Sequence, residues 1–306
     1  MQAFLENIAT MELGQDACRV FHGRGCVFPH CEHLCLDWFP PVLLLTSFIA
    51  LSEQDLAKIQ TVIQNRFDTL FLSGKITDSL NLVYQYRAGS NSQTHILAGE
   101  VPEKHVVSEN DCDYLVHLSK GQNHGLFLDM ANGRKWLKDH AVDKKVLNLF
   151  SYTCAFSIAA LKGGAESVVN IDMAKGALSI GKQNHSLNDF NGRASFLGHD
   201  IFKSWGKLRK NGPYDIIVAD PPSNQKGSFV ATKDYVRLLR RLPELMATNC
   251  QLLLCLNAPE LSEDYFKQQI AQEIPELTLV ERLDNPAAFV DIDMNKALKV
   301  LLYKRN

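Results

Sequence analysis

Hydrophobic and polar positions divide the 306-residue chain into two parts with different patterns. From Lys144 onward, short apolar runs alternate with amphipathic stretches, which is typical of parallel strands joined by helices. The predicted strands are 146–150, 167–172, 194–197, 214–220, 251–257, 278–283 and 297–303, and the helices between them include 174–188 and 232–246. Only a loop, 284–296, separates the last two strands, so we expect an antiparallel hairpin there.

The part before Lys120 mixes short strands with one helix. We predict strands at 80–87, 95–100, 105–109 and 114–118, and a helix at 53–66 that Ser52 caps. A further helix at 134–140 leads into the main sheet. The sequence therefore predicts two domains, a smaller α+β domain at residues 1–118 and an α/β domain at residues 119–306.

Composition narrows the class of protein. Hydrophobic residues make up 46% of the chain and charged residues 22%, which are the values of an ordinary globular protein. The longest apolar run, 40–51, is too short to cross a bilayer, and the N-terminus lacks the basic and apolar regions of a secretory signal. Several of the eight cysteines lie in predicted core strands and are expected to be reduced. We therefore expect a cytoplasmic protein without a membrane partner.

Charge is distributed unevenly along the chain. Residues 1–118 contain 7 Lys and Arg against 14 Asp and Glu, giving −7, whereas residues 119–306 contain 25 against 20, giving +5. The basic residues of the second part concentrate on two predicted helices and their flanks: Lys203, Lys207, Arg209, Lys210, Lys226, Lys233, Arg237, Arg240 and Arg241. They could attract a polyanion such as RNA, although solvated helix faces are the commoner explanation.

Residues 18–35 are rich in potential metal ligands. They include Cys18, His22, Cys26, His30, Cys31, His33 and Cys35. Zinc sites favour closely spaced cysteine pairs, and the C-x-x-C spacing is absent here, so we expect local packing and no bound metal. Arg19, His22 and Arg24 are candidates either for contact with RNA or for a structural role.

Polar residues stand where four of the predicted parallel strands end. They are Ser151, Tyr152 and Thr153 after the first strand, Asp172 at the second, Asp200 after the third, and Asp220, Pro221, Pro222 and Ser223 at the fourth. Doubly wound sheets bind nucleotides at this edge, where a carboxylate after the second strand binds ribose hydroxyls. The glycine fingerprint for a pyrophosphate is absent, so the pattern favours S-adenosylmethionine, which has a ribose and no pyrophosphate. Asp172 and Asp200 could instead cap helices.

Four segments of the sequence resemble a known family. They are GLFLD at 125–129, LNLFSYT at 147–153, VVNIDMAKGALSIGKQN at 168–184 and DIIVADPP at 215–222. In this order they are similar to the bacterial class I ribosomal RNA methyltransferases that modify cytosine C5 or guanine N7 of the large-subunit RNA. The resemblance implies a Rossmann-like α/β sheet of seven strands, mostly parallel with a C-terminal antiparallel hairpin, and a smaller N-terminal α+β domain that could bind RNA.

The resemblance also implies a role for each matching residue. Ser151, Tyr152 and Thr153 would lie near the methionine moiety of S-adenosylmethionine, and Asp172 would bind the ribose hydroxyls. Met173 and Ile201 would flank the adenine, and Asp200 would contact its amino group. Phe127, Asp129 and Phe150 would complete the cofactor site. Asp220, Pro221 and Asn257 would be the catalytic set, with Asp220 facing the methyl-transfer centre and also contacting the cofactor.

Three positions depart from the family pattern. Cys154 replaces the glycine of the turn after the first strand and would place a side chain near the cofactor. Asn224 replaces an aromatic residue that could stack on a base. Asn257 occupies the place of the cysteine that cytosine-C5 enzymes use as a nucleophile, and Cys255 nearby is expected to be buried and inert.

These observations predict an S-adenosylmethionine-dependent methyltransferase that acts on RNA, with large-subunit ribosomal RNA as the expected partner. The missing nucleophile favours direct transfer to nitrogen over covalent cytosine-C5 chemistry. Two alternatives stay open. One is a small-molecule methyltransferase, which the acidic first domain favours. The other is a catalytically inactive protein that binds the cofactor or RNA, which Cys154 and Asn224 favour.

Overall fold

The chain folds into two compact units. The computed structural model describes residues 1–89, 91–119, 121–222, 224–225 and 229–305, with the side chains of Asn91, Asn224 and Gln225 excepted. Unit 1 consists of Met1–Asp129 and Pro286–Ile292, and unit 2 of Met130–Asn285 and Asp293–Asn306. The division therefore falls after Asp129 instead of residue 118. The predicted loop at 284–296 also contributes a segment to unit 1, which no local sequence pattern announces.

Unit 1 is the predicted α+β unit. Its helices and strands are α1 (Gln2–Thr10), β1 (Cys18–His22), β2 (Leu34–Phe39), β3 (Val42–Ser47), α2 (Glu53–Leu72), β4 (Asn81–Ala88), β5 (Asn91–Ala98), β6 (His105–Glu109) and β7 (Cys112–Val116). Among the described residues, the first five strands form one sheet in the order β1-β2-β3-β4-β5, and β6 pairs with β7. β3 and β4 are parallel because α2 connects them, and the other neighbours are antiparallel.

Burial explains why this sheet forms. Every residue of β2 and β3 is buried, so the middle of the apolar run at 40–51, residues 42–47, is a central strand covered on both faces. Helices α1 and α2 bury one apolar face each in the unit 1 core, with Phe4, Ile63 and Phe67 at most 2% exposed. Ser52 caps α2 by accepting a hydrogen bond from the Asp55 N–H, which confirms the predicted cap.

Unit 2 is the predicted α/β unit. Its elements are α3 (Ala131–His140), β8 (Lys145–Leu149), α4 (Ala155–Lys162), β9 (Ser167–Ile171), α5 (Lys175–Leu187), β10 (Ala194–Leu197), α6 (Trp205–Asn211), β11 (Tyr214–Ala219), β12 (Asn224–Gln225), β13 (Phe229–Val230), α7 (Ala231–Leu239), β14 (Met246–Leu256), α8 (Glu263–Glu273), β15 (Leu277–Arg282) and β16 (Lys299–Arg305). In the part of the chain described, seven strands form one sheet in the order β10-β9-β8-β11-β14-β16-β15.

The direction of the strands matches the prediction. β10, β9, β8, β11 and β14 are adjacent and parallel, whereas β16 runs antiparallel between β14 and β15. The helix predicted at 232–246 is too long: α7 ends at Leu239, a 3₁₀ turn containing Pro243 follows, and Met246 already starts β14. Among the described residues no helix has the length and apolar character to cross a membrane.

Candidate active site at the carboxyl edge of the sheet

The five parallel strands of unit 2 bring most of the predicted site residues to one edge of the sheet, here called the carboxyl edge. Phe150, Ser151, Tyr152 and Thr153 follow β8, Asp172 and Met173 follow β9, Asp200 and Ile201 follow β10, Asp220 and Pro221 follow β11, and Asn257 follows β14. Phe127 and Asp129 end unit 1, and their roles stay predictions. Ser223 and the side chain of Asn224 lie outside the described residues.

The loop after β8, residues 150–154, has an unusual backbone. Phe150, Tyr152 and Cys154 have φ angles of 57°, 45° and 63°, in the left-handed region that residues other than glycine rarely adopt. Such conformations persist only where the surroundings hold them, and they cluster at ligand sites. Asn184 of α5 holds this loop by donating to the Thr153 carbonyl over 3.0 Å. The Ser151 N–H donates to the carbonyl of Ile171 over 3.1 Å.

Asp172 fixes the same loop from the neighbouring strand. One carboxylate oxygen accepts a hydrogen bond from the Tyr152 N–H over 2.8 Å, and the other accepts one from the Ala174 N–H over 2.7 Å. Each carboxylate oxygen can accept a second bond, and the side chain is half-buried. The carboxylate is therefore rigidly placed and retains the capacity that ribose hydroxyls need. Ala174 is the N-cap residue of α5, so the Asp172 carboxylate supports both the start of this helix and the loop after β8.

The capping alternative holds for Asp200. Its carboxylate accepts from the Phe202 N–H over 2.9 Å and caps the 3₁₀ turn Ile201–Lys203. Ile201 is only 3% exposed and belongs to the core of unit 2, whereas Met173 is 49% exposed. Of the two residues predicted to flank adenine, Met173 is thus the accessible one. The roles of Asp200 and Ile201 toward adenine stay predictions.

The position of the Cys154 side chain is set by its contact with α5. The residue is fully buried, and a Cβ atom added to Gly181 of α5 would lie only 2.5 Å from the Cys154 sulfur. The thiol therefore packs against α5. Burial raises its pKa to about 12, so the thiol is neutral. The thiol also lies close to the Ser151 hydroxyl, and the effect of Cys154 on cofactor binding stays a prediction.

An aromatic cluster that sequence reasoning missed includes Phe150, which follows β8, and Tyr235, which Asp220 affects electrostatically. Phe229 packs edge-on against Phe150 with ring centroids 5.2 Å apart, and against Tyr235 at 5.9 Å. The Tyr235 hydroxyl donates to the Cys255 carbonyl over 2.9 Å. Burial raises the pKa of Tyr235 well above its usual value, and the nearby Cys255 and Asp220 raise it further. Tyr235 is therefore a neutral donor, and Asp220 lies within its electrostatic reach.

Asn257 directly follows β14, and the buried side chain of Lys299 holds the backbone next to it. Asn257 is exposed, whereas Cys255 is 0% exposed, as predicted, and packs in the cluster that contains Leu253 and Val300. The Lys299 ammonium is also buried and donates to the carbonyl of Ala258 over 3.1 Å. Burial lowers the pKa of Lys299. This bond fixes the backbone directly after Asn257, and no motif in the sequence points to it.

A buried polar chain connects the strands and helices beneath the loop at 150–154. Asn148 of β8 donates to Asn170 of β9 over 2.9 Å, and Asn170 donates to the hydroxyl of Ser157 over 3.0 Å. His185 Nδ1 lies 2.7 Å from the Gly181 carbonyl. A carbonyl only accepts, so Nδ1 carries the hydrogen and Nε2 accepts from Ser157 over 2.9 Å. Burial lowers the pKa of His185, which keeps the ring neutral.

Almost the whole chain matches the model of one protein family. The model described as S-adenosylmethionine-dependent methyltransferase matches residues 18–304. The chain belongs to this family. Both units of the chain are included in the match, so the family assignment does not rest on the carboxyl edge alone.

Individual relatives agree with this assignment. Ribosomal RNA large subunit methyltransferase I of Aeromonas salmonicida is 37% identical over 157 residues, which are 50% of this chain and 40% of that protein. YwbD of Bacillus subtilis is 30% identical and covers 94% of this chain and 74% of its own length. The crystal structure of SMU.776 complexed with SAH has a TM-score of 0.82 at 27% identity, covering 99% of this chain and 78% of that chain. This chain thus spans two fifths of the Aeromonas protein.

The residues of the carboxyl edge fit the family's cofactor. The Ser151 hydroxyl oxygen is buried without a hydrogen-bond partner of normal geometry among the described residues, although the Cys154 thiol is close enough to interact with it. A buried polar atom without a partner is costly unless a ligand or water satisfies it. Together with the spare acceptor capacity of Asp172 and the exposed Met173, this donor set suits a ligand with a ribose, an adenine and an amino acid group.

The basic residues of the second part are mostly neutralised. Ion pairs join Lys203 to Asp200, Arg209 to Glu244, Arg237 to Asp234, Arg240 to Glu273 and Arg241 to Glu244. The sequence allowed two interpretations of these basic residues, attraction of a polyanion or solvated helix faces. The ion pairs favour solvated helix faces for most of them. Lys226 lies outside the described residues.

The N-terminal cysteines and histidines do not come together as a metal site in the described part of the chain. No group of three or more His, Cys, Asp or Glu side chains there has a metal-binding arrangement. Cys31 and Cys35 are buried in unit 1, whereas Cys18 and Cys26 are exposed. None of the eight cysteines forms a disulfide bond in the described part of the chain, and their reduced state stays a prediction.

Proposed function

We propose that this methyltransferase transfers a methyl group from S-adenosylmethionine directly to a ring nitrogen of a base in large-subunit ribosomal RNA. The observation that carries the proposal is the bond from the Tyr152 N–H to Asp172, which sets a strained loop and a carboxylate together at the carboxyl edge. RNA as the substrate is supported by the name of the Aeromonas relative. Ribosomal RNA would be met in the cytoplasm, the expected location.

Direct transfer is supported by the state of the thiols in unit 2. Covalent cytosine-C5 chemistry needs a thiolate that can reach the base. Cys154, Cys250 and Cys255 are each 0% exposed, and burial raises the pKa values of Cys154 and Cys250 to about 12. None of these thiols is a candidate nucleophile in this conformation.

The chain's own residues would then act by positioning. When bound, S-adenosylmethionine would supply an electrophilic methyl group on a sulfonium, from which a neutral thioether departs as a good leaving group. Alignment of the target lone pair with that methyl carbon supplies most of the catalysis. Asp220, Pro221 and exposed Asn257 would orient the base, with Asp220 held beside neutral Tyr235 and the backbone after Asn257 held by Lys299.

Labelled methyl transfer tests this function. The purified chain and S-adenosylmethionine with a tritiated methyl group are incubated with unmodified, transcribed large-subunit RNA or with a small-metabolite extract. We expect label in RNA, and digestion to nucleosides followed by mass spectrometry should show an N-methylated base. Label at cytosine C5 would contradict direct transfer to nitrogen.

A small-molecule substrate is the second candidate, because residues 1–118 carry a net charge of −7 that disfavours a polyanion. Label confined to the metabolite extract would favour it over RNA. Cofactor binding without any transfer in calorimetry and labelling would favour the inactive binding protein.

A further inference from the structure

Unit 1 contains a cluster of three arginines, Arg19, Arg24 and Arg87, here called the arginine cluster. Arg24 lies over the ring of Phe48 at 4.2 Å, and Arg87 lies over the same ring at 6.0 Å. Three of the seven basic residues among positions 1–118 thus meet at one place in an otherwise acidic part of the chain. Like charges at this spacing repel one another unless anions compensate them.

The carboxylates near the arginine cluster interact mainly with Arg19. Asp37 forms a two-pronged ion pair with Arg19, through Nε and Nη2. Asp129 also acts electrostatically on the Arg19 guanidinium. The ring of Phe289 covers this guanidinium at 4.7 Å. Arg19 is thus a half-buried anchor whose charge is compensated by Asp37 and is not available to a ligand.

Arg24 and Arg87 have neutral partners instead. Arg24 is exposed and rests on the Phe48 ring. Arg87 is half-buried and donates to the side-chain oxygen of Gln85 over 2.6 Å, and it lies 3.0 Å from His124 Nε2. Burial is the largest effect that lowers the pKa of Arg87; Asp37 opposes it, while Arg19 and Arg24 lower it further. Among the described carboxylates, none forms an ion pair with Arg24 or Arg87.

The two histidines beside the arginine cluster, His22 and His124, do not supply a negative charge. His124 Nδ1 lies 2.8 Å from the His117 carbonyl, so Nδ1 carries a hydrogen. Burial lowers the pKa of His124. Burial also lowers the pKa of His22 to about 4, helped by Arg19 and Arg24. Both rings are therefore neutral near pH 7. Asp37, which is paired with Arg19, acts on Arg87 only at longer range, so Arg24 and Arg87 have no carboxylate partner of their own among the described residues.

The backbone holds Arg24 in place. Arg24 is the middle residue of the 3₁₀ turn Gly23–Gly25. A Cβ on Gly23 would lie 1.8 Å from the Cys31 carbonyl oxygen, and a Cβ on Gly25 would lie 1.7 Å from the Val290 carbonyl oxygen. The Ile292 N–H also donates to the Gly25 carbonyl over 2.9 Å. Only glycine permits these two close approaches, so the segment 286–292 fixes the loop that presents Arg24.

We propose that Arg24 and Arg87 form a binding site for a backbone phosphate of the RNA substrate. Guanidinium groups bind phosphate oxygens through two parallel N–H donors, and partners that leave the charge uncompensated favour an incoming anion. Arg237, Arg240 and Arg241 each form an ion pair with a carboxylate. In contrast, Arg24 is exposed and Arg87 is half-buried, and neither forms an ion pair with a described carboxylate. The inference rests on the proposed RNA substrate and assigns unit 1 a part in holding it.

Binding of RNA at several salt concentrations tests the site. A labelled fragment of transcribed large-subunit RNA is titrated with the full chain and with Arg24→Gln, Arg87→Gln and Arg24→Lys. We expect each Gln variant to weaken binding by about tenfold. The slope of log affinity against log salt should fall by about 0.7 per lost phosphate contact. Arg24→Lys should keep the slope of log affinity against log salt, because it retains the positive charge. It should bind RNA more weakly, because it loses the two parallel N–H donors of the guanidinium group.

Lys58→Gln is the matched control, because Lys58 is an exposed basic residue of α2 outside the cluster. Equal RNA affinity of Arg24→Gln, Arg87→Gln and Lys58→Gln would overturn the inference. So would equal competition by polyglutamate and unlabelled RNA, which would indicate an acidic protein as the occupant.

Calorimetric titration with S-adenosylmethionine on the same samples separates this inference from the proposed function. Unchanged cofactor affinity of the variants shows that unit 2 is intact, so an RNA-binding defect is then attributable to unit 1. Methyl transfer to RNA by the wild type, without any effect of the arginine variants, would leave the proposed function standing and overturn only the phosphate site.

Discussion

Gly181 of α5 and Cys154 of the loop after β8 are complementary in shape. The Cys154 sulfur occupies the space that a Cβ at position 181 would enter, with 2.5 Å between the two positions. Cys154 has a left-handed backbone, which glycine adopts more readily. A side chain at 154 is therefore tolerated because position 181 has none.

This complementarity predicts a coupled pair of substitutions. Gly181→Ala should destabilise the protein by about 1–3 kcal/mol through overpacking against the thiol. In a Cys154→Gly background the same change should be at least about 1 kcal/mol less harmful, because the thiol is gone. Urea unfolding of the wild type, both single variants and the double variant measures the coupling. Additive effects would show that the two side chains do not compete for one space.

Cys154→Gly alone should leave the affinity for S-adenosylmethionine within a few-fold of wild type. The thiol packs against α5, and within the predicted cofactor site it interacts with the Ser151 hydroxyl, which a bound ligand would satisfy instead. Calorimetric titration measures the affinity. A large loss would mean that Cys154 itself contacts the cofactor.

Asp172→Ala should abolish cofactor binding and also reduce stability by about 1–3 kcal/mol, because the N–H groups of Tyr152 and Ala174 lose their acceptor. Substitution of a residue that contacts only the ligand would leave the stability unchanged, so the loss of stability distinguishes Asp172 from such a residue. Calorimetry and urea unfolding give the two quantities. Asp200→Ala, which also removes the acceptor of a backbone N–H, is the control for a lost cap. An unchanged cofactor affinity in Asp172→Ala would remove Asp172 from the site.

His185 makes the stability depend on pH. Its folded pKa is lowered by burial, while the unfolded value is about 6.5. The contribution of neutral His185 is therefore full above the unfolded pKa and is lost as the pH falls through the folded pKa. Between about pH 7.5 and pH 5.5 the wild type should lose more stability than His185→Gln, which cannot titrate. Equal losses would mean that other groups, such as His22 and His124, account for the acid sensitivity.

Cys255→Ala should retain methyl transfer within a few-fold and cost about 1 kcal/mol of stability, because it removes a buried thiol. The wild type should form no denaturant-resistant adduct with RNA that contains 5-fluorocytidine. Such an adduct, absent in Cys255→Ala, would establish covalent cytosine chemistry and overturn direct transfer to nitrogen.

The sequence predicted unit 2 more completely than unit 1. The strands of unit 2 are short apolar runs between amphipathic helices, and both signals are local, so six of the seven strand predictions agree with the structure within two residues at either end, while β14 starts five residues earlier. Strands β1 to β3 were not predicted, since His22 to Leu34 contains no regular period and the run at 40–51 could belong to a helix or a strand. The helix at 232–246 was overextended because Leu242 and Leu245 continue the apolar period through Pro243.

The sequence by itself determined which residues end the parallel strands, and therefore that Asp172, Asp200 and Asp220 share one edge, because strand ends and parallel order follow from local pattern and connection length. Only the tertiary structure decided where the Cys154 thiol points, which arginines find carboxylates, and that residues 286–292 join unit 1. Each of these depends on contacts between residues far apart in the chain, such as Cys154 with Gly181 and Gly25 with Val290. The hydrophobic periodicity of the sequence reports only on neighbouring residues, so it does not predict which distant residues come into contact.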